Sequence, residues 1–249
     1  MFQRFVGIDY SGASAPDAGL PGLRIYVATA DAPPAELRPD PDRPSRHWSR
    51  RALSEKLEEI LDEPTPAIVG IDHAFSFPLD YYDRYGIAHD WRTMLDDFVM
   101  HWPTHVRGAR VEDLRANNAR TGKSTCRRLT DRRVGAKSPF HFDVPGSVAK
   151  STHAGIPFLR RLIRRPGERV HAWPFDGWEP APGSHLVAEA YPALVRPEDA
   201  DVDALSPDQR DARAVCEWLR AAHSRGTLDG ALIPDLSAEE RRISRVEGL

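Results

Sequence analysis

Two segments of this chain share the same four residues. Arg4–Gly12 reads RFVGIDYSG and Ala67–Pro78 reads AIVGIDHAFSFP, so Val-Gly-Ile-Asp recurs at 6–9 and 69–72. In each, a short apolar, β-prone run stops on a carboxylate. A run that is apolar at successive positions suits a strand buried on both faces, as in parallel sheets covered by helices. Two such strands lying adjacent and parallel bring Asp9 and Asp72 together at one edge of the sheet.

The other periodicities fill in that layer. Strands are predicted at Phe5–Asp9, Leu23–Ala30 and Ile68–Asp72, with a short third strand near His47–Trp48 after the Pro-rich loop 31–46. Leu53, Leu57, Ile60 and Leu61 fall at helical spacing over Ser49–Leu61, and Pro64 and Pro66 end that helix. Further on, Val148–Arg165 reads as a helix, 169–175 and 185–195 as strands, and Ser206–Arg225 as a helix. The last has a clear start: Ser206 at the N-cap, Pro207 at the first helical position, Gln209 completing a capping box. Ser237-Ala-Glu-Glu240 opens a final helix in the same way. This alternation predicts an α/β protein with a mixed five-stranded sheet flanked by helices. Residues from about 80 to 145 read as a basic helical insertion in a single domain spanning 1–249. Within it Trp91, Met94, Leu95, Phe98 and Trp102 share one helical stripe, which reads as a packing face.

The formal net charge is −3 and by itself names no partner. Its distribution says more. Arg107–Lys137 carries ten Lys/Arg against three Asp/Glu, a local +7 that leaves −10 for the rest of the chain. Such a block is a solvated loop or a surface for an anionic partner. On the second reading Arg127, Arg128, Arg132, Arg133 and Lys137 are candidate contacts to nucleic-acid phosphates. The two cysteines, Cys126 and Cys216, stand far apart, which gives no disulfide framework and suits a reducing compartment. No secretory leader pattern opens the sequence, and no apolar run approaches the roughly 18 residues of a membrane span. The expectation is a cytoplasmic protein without a membrane partner.

Acids recur where strands end. Asp9 and Asp72 are joined by Glu189, near the end of HLVAEAYP. Asp208 and Asp211 lie three apart on the first turns of the capped helix, hence on one face. Carboxylates crowded at one sheet edge repel and call for a cation. An all-oxygen donor set points to Mg²⁺ or Mn²⁺ rather than zinc. Two such ions about 3.5–4 Å apart activate a water and hold a leaving oxygen in phosphodiester cleavage. Asp9, Asp72, Glu189 and Asp211 are therefore candidate catalytic residues. Asp9, Asp72, Asp208 and Asp211 are candidate ligands of a two-ion site. Each also has a plainer reading: a strand-end Asp forms turns, Glu189 faces solvent, and Asp208 complements a helix macrodipole. His73, Ser11, Lys150 and Ser151 are further polar groups near that edge.

VGIDYSG, VGIDHAFSFP, EAYPALV and DQRDARAVCEWL together resemble a bacterial and archaeal family of uncharacterised proteins described as predicted RNase H-like nucleases. The resemblance covers most of the chain outside 80–145. The order strand–strand–strand–helix–strand–helix–strand–helix, with Gly-Ile-Asp on the first strand, resembles the ribonuclease H-like fold. DARA at Asp211–Ala214 is similar to the closing helix of the RuvC-type resolvases, where an acid and small residues let the helix approach the metal. The resemblance implies a metal-dependent nuclease acting on nucleic acid. It assigns the first-strand acid to Asp9, the next to Asp72, the Glu before Tyr-Pro to Glu189, and the closing-helix acids to Asp211 and, one turn earlier, Asp208.

Two other classes share part of the pattern. Sugar-kinase and actin-like nucleotide binders also open on Gly-Ile-Asp, but they use two such domains and a second Gly-rich phosphate loop. Here Asp72 is followed by His73-Ala74-Phe75. A non-catalytic module that binds nucleic acid through the basic insertion is the other. NNARTGKST at 117–125 lacks the first P-loop glycine, whose place falls to Asn117. Pro103 between His101 and His105 breaks the helical spacing of a zinc pair.

Overall fold

The computed structural model describes residues 2–42, 45–164, 170–195 and 204–249. In chain order the elements are β1 (Arg4–Asp9), β2 (Arg24–Thr29), β3 (Ala35–Glu36), α1 (Arg50–Asp62), β4 (Ala67–Asp72), α2 (Leu79–Tyr85), α3 (Trp91–His101), α4 (Val111–Arg115), α5 (Leu129–Val134), α6 (Ala149–Ile163), β5 (Val170–Trp173), β6 (His185–Glu189), a 3₁₀ turn (Pro192–Leu194), α7 (Pro207–Ser224), α8 (Leu228–Leu232) and α9 (Ala238–Glu247). Among the described residues no helix is long and apolar enough to cross a membrane.

The strands form one mixed sheet in the order β3-β2-β1-β4-β6-β5. β1, β2 and β3 are successively antiparallel, whereas β1, β4, β6 and β5 are all parallel. The sheet thus has six strands rather than five: the run expected as a strand over 169–175, of which residue 169 lies outside the described residues, pairs as Val170–Trp173 along the outer side of β6. The third strand is Ala35–Glu36, inside the Pro-rich loop, and not His47–Trp48. Only two residues pair there, too few for any periodicity to show. Trp48 instead plugs the core, its indole N–H donating to the Leu37 carbonyl at 2.8 Å. The run expected as a strand over 185–195 pairs only to Glu189, then closes into the 3₁₀ turn.

The pleat separates two cores. Val6, Ile8, Val69, Ile71 and Val187 face the layer containing α1, α3 and α6. Phe5, Ile68 and Leu186 face α7 through Ala212, Val215, Cys216 and Leu219. Side chains alternate with a period of two. Gly7 and Asp9 on β1, and Gly70 and Asp72 on β4, therefore lie on the α7 face. α7 begins as its capping box predicts, with Ser206 and Gln209 exchanging bonds to each other's backbone N–H.

The segment 80–145 carries α2 to α5. Its aromatic stripe is a packing face: Trp91, Met94, Leu95, Phe98 and Trp102 are all buried. Trp91 stacks on Phe175 with centroids 3.9 Å apart. Trp102, Phe98, Phe77 and Phe142 enclose His153 of α6.

Candidate metal centre at the carboxyl edge of the sheet

The register of β1 and β4 pairs Asp9 directly with Asp72. The same register pairs Gly7 with Gly70 two residues earlier, on the same face. These glycines set how near α7 can come. A Cβ on Gly7 would sit 2.2 Å from the Ala212 carbonyl oxygen and 2.5 Å from the Cys216 nitrogen. On Gly70 it would meet the Val215 side chain at 2.6 Å. With no side chain at either position, α7 comes close to the sheet, its backbone lying over Gly7 and its Val215 side chain over Gly70. Asp208 and Asp211 belong to the stripe 208, 211, 212, 215, 219 that faces it, so the first turns of α7 bring both acids over the ends of β1 and β4.

The electrostatics of Asp9 report that convergence. Its carboxyl is pushed up to about 8, first by burial and then by the negative charges of Asp72, Asp208 and Asp211, with a hydrogen bond to Asp208 adding to the rise. The rise is in the direction that like charges crowded into one site require. Arg24, the β2 partner of Asp9, turns its guanidinium to Glu36 at 2.8 Å. Glu36 in turn accepts from the Gln209 amide at 3.1 Å.

Glu189 is not part of this group. It is in register with Ile71, one residue short of Asp72, and the pleat turns it to the opposite face of the sheet. There it receives two 2.6 Å bonds from Arg128 and one from the Phe75 backbone N–H. Arg128 is 2 % exposed, and its remaining donors go to Asp131 and to the Glu247 carbonyl. Burial depresses a guanidinium, but the two carboxylates outweigh it and hold Arg128 fully charged. A buried guanidinium with every donor engaged makes no phosphate contact, so Arg128 is corrected to a structural residue of the insertion. Arg133 is paired with Glu240 of α9. Arg132 donates to the Arg127 carbonyl and is exposed, as is Arg127 itself. Lys137 reaches the Pro145 carbonyl and lines a cleft beside Asp72. Elsewhere in the basic block Arg115 binds Asp143 and Arg120 binds Asp97. Arg128 and Arg133 therefore dock the segment onto the rest of the fold, while Arg115 and Arg120 hold the segment together internally.

The secondary polar groups take plain roles. His73 is buried between the Tyr10 and Phe75 rings, and its Nδ1–H donates to the Ala74 carbonyl at 2.9 Å. Burial lowers it to about 4, so the ring is neutral at physiological pH. The Ser151 hydroxyl donates to the Val148 carbonyl within its own helix, and Lys150 pairs with Glu112. Ser11 lies in a loop whose carbonyls are held by the buried Arg50.

Compared with known proteins, the chain matches no family model, no curated protein and no solved structure.

The donor set at the edge is four carboxylates, the chemistry of a hard, oxygen-seeking cation such as Mg²⁺ or Mn²⁺. Among the described residues no three Asp, Glu, His or Cys side chains are drawn together as a finished ligand shell. A cation bound there would have to displace the Asp9 proton and draw the carboxylates closer together. Sequence reasoning overlooked the two glycines. Their signal was present: each precedes its Asp by two residues and so shares its face.

Proposed function

We propose that this protein is an RNase H-like, metal-dependent nuclease that hydrolyses phosphodiester bonds of nucleic acid. The observation that carries the reading is the in-register pair Asp9–Asp72 beneath Asp208 and Asp211, made possible by a helix lying directly on two glycines. Three antiparallel strands followed by β4 and β6 parallel to β1, with helices before β4 and after β6, also agree with the element order the resemblance implies. β5 is then an added edge strand.

In this reading Asp9, Asp72, Asp208 and Asp211 hold Mg²⁺ or Mn²⁺. The bound ions would supply an activated water and neutralise charge on the departing oxygen. Asp9 and Asp72 face α7 from adjacent strands, and Asp9 is the one whose carboxyl also senses Asp208 and Asp211. It would give up its proton to a bound cation. Glu189 acts at a distance, by fixing Arg128 and the Phe75 backbone beside the edge. Exposed Arg127, Arg132 and Lys137 supply the contacts to phosphate.

The test is cleavage of end-labelled DNA and RNA, single- and double-stranded, with Mn²⁺, with Mg²⁺ and with excess chelator. The reading expects cleavage with metal, none with chelator, and none from Asp9→Asn or Asp72→Asn proteins that fold normally. Full activity in chelator, or from either variant, would refute it.

A further inference from the structure

A cleft of about 190 Å³ opens against Asp72, between the carboxyl ends of β4 and β6 and helix α5. Its size is well below the roughly 300–1,000 Å³ of clefts that enclose drug-sized ligands, so it has room for one small ring system and none for a duplex. Its walls are unusual for this surface. Six large apolar side chains are exposed among the described residues, and three of them, Val134, Tyr191 and Leu194, line this one cleft. Scattered exposed apolar groups carry no message, but three gathered in a concavity do. Arg128 and Asp131 also line it, and Arg128 has its donors committed to Asp131, Glu189 and the Glu247 carbonyl. An anion entering deeply would meet a guanidinium whose donors are already committed and would face two carboxylates. The one exposed cation among the lining residues is Lys137, whose ammonium gives one of its three donors to the Pro145 carbonyl. A fitting occupant therefore places a flat, uncharged ring inside the cleft and keeps any negative charge at the mouth, toward Lys137. A nucleobase carrying its phosphate has that form, and aromatic or apolar walls are how proteins hold an unstacked base.

We propose that this cleft seats a single unpaired nucleobase, so that the substrate of the adjacent carboxylate site is single-stranded or locally unpaired nucleic acid. The proposal rests on the nuclease reading above and narrows its substrate. A paired base cannot enter, because its partner and its neighbours in the stack do not fit with it. Tyr191 stacks on the base, Leu194 and Val134 close its other side, and Lys137 takes the phosphate.

The experiment measures binding by fluorescence anisotropy of a short labelled strand and of the same sequence as a blunt duplex, with Ca²⁺ replacing Mg²⁺ to prevent cleavage. Mn²⁺ binding is titrated separately on the same proteins. Wild-type protein is expected to bind the strand at least about tenfold more tightly than the duplex. Tyr191→Ala is expected to weaken strand binding about five- to 100-fold, the range for loss of one aromatic–base stack. Leu194→Ala, at a side chain 62 % exposed and therefore safe for folding, is expected to weaken it in the same sense. Both variants should keep the wild-type melting temperature and Mn²⁺ affinity. Equal binding of strand and duplex, or unchanged strand binding by both variants, would overturn the cleft while leaving the nuclease reading standing. A free mononucleotide that binds as tightly as the strand would overturn the strand as the source of the base. Binding of neither strand nor duplex, with Mn²⁺ bound normally, would overturn the cleft and the nucleic-acid reading together.

Discussion

Gly7→Ala should cost this protein more than a change of one methyl group ordinarily does, and its control should cost nothing. The added Cβ would lie 2.2 Å from the Ala212 carbonyl oxygen and 2.5 Å from the Cys216 nitrogen, both backbone atoms. Neither can rotate away. Heavy atoms in contact settle near 3.5–4.0 Å, so α7 must retreat from β1 by roughly 1 Å. Overpacking of this kind costs about 1–3 kcal/mol, and the upper end applies because the displaced partner is a helix backbone rather than a side chain. For a chain of 249 residues, about 3 kcal/mol lowers the melting temperature by roughly 6–12 °C. The same retreat lifts Asp208 and Asp211 off the edge, so Mn²⁺ affinity should fall by more than the stability loss alone explains. Gly230→Ala is the control. It lies in α8 with nothing within 4 Å of its added Cβ, and alanine there should be neutral or stabilising by up to about 1 kcal/mol. The assay is thermal unfolding with and without Mn²⁺. Equal melting temperatures for Gly7→Ala and Gly230→Ala would refute the claim that a bare β1 backbone positions α7.

Four further outcomes follow from the same contacts. Asp9→Asn, in chelator, should raise stability: the folded protein's Asp9 titrates near 8, so between the ordinary carboxylate value and pH 8 stability falls as pH rises, and asparagine removes that loss while still donating to Asp208. The gain should reach about 3–5 kcal/mol by pH 8, read by denaturant unfolding at several pH values, and a destabilised variant would contradict it. In that Asp9→Asn background, stability should fall as pH drops below 6.5, since buried His73 and His153 titrate only near 4 and 3 when folded; the loss should be about 2 kcal/mol for each by pH 5, and a flat profile would contradict it. Arg128→Met should destabilise by about 3–5 kcal/mol because it strands Asp131 and Glu189, and Glu189→Gln should be milder; a neutral Arg128→Met would show that the pair does not dock the insertion. Replacing exposed Arg127 and Arg132 by Ser should flatten the salt dependence of duplex DNA binding by about two units of log–log slope, and an unchanged slope would remove them from the phosphate contacts.

The legible part of this protein was the part written in short local patterns. Two strands ending in Gly-Ile-Asp, and a capped helix with acids on its first turns, were enough to anticipate which acids share an edge. Period-two alternation carries the glycines to the same face as those acids, so their role was readable too. Glu189 was misplaced because its face depends on the register of β6 against β4, and a one-residue difference inverts it. β3 was misplaced because a two-residue pairing inside a Pro-rich loop leaves no period to read. The basic block misled for another reason. Charge counting along a sequence does not see partners far away, and Arg128 meets Glu189 across 61 residues and Arg133 meets Glu240 across 107. The cleft beside Asp72 was invisible because its walls come from α5 and from the turn after β6, segments that the fold alone brings together.

The central claim is that Asp9, Asp72 and the first turns of α7 hold a divalent cation, and a crystal soaked in Mn²⁺ tests it most directly. Anomalous scattering locates the ion without reference to any assumed ligand. The account predicts a manganese peak between Asp9 and Asp72, with Asp208 or Asp211 completing an all-oxygen shell and carboxylate oxygens at roughly 2.0–2.3 Å. It also predicts that the peak is absent from Asp9→Asn crystals treated identically. Manganese bound elsewhere while this edge stays empty, or a peak that survives in Asp9→Asn, would contradict it.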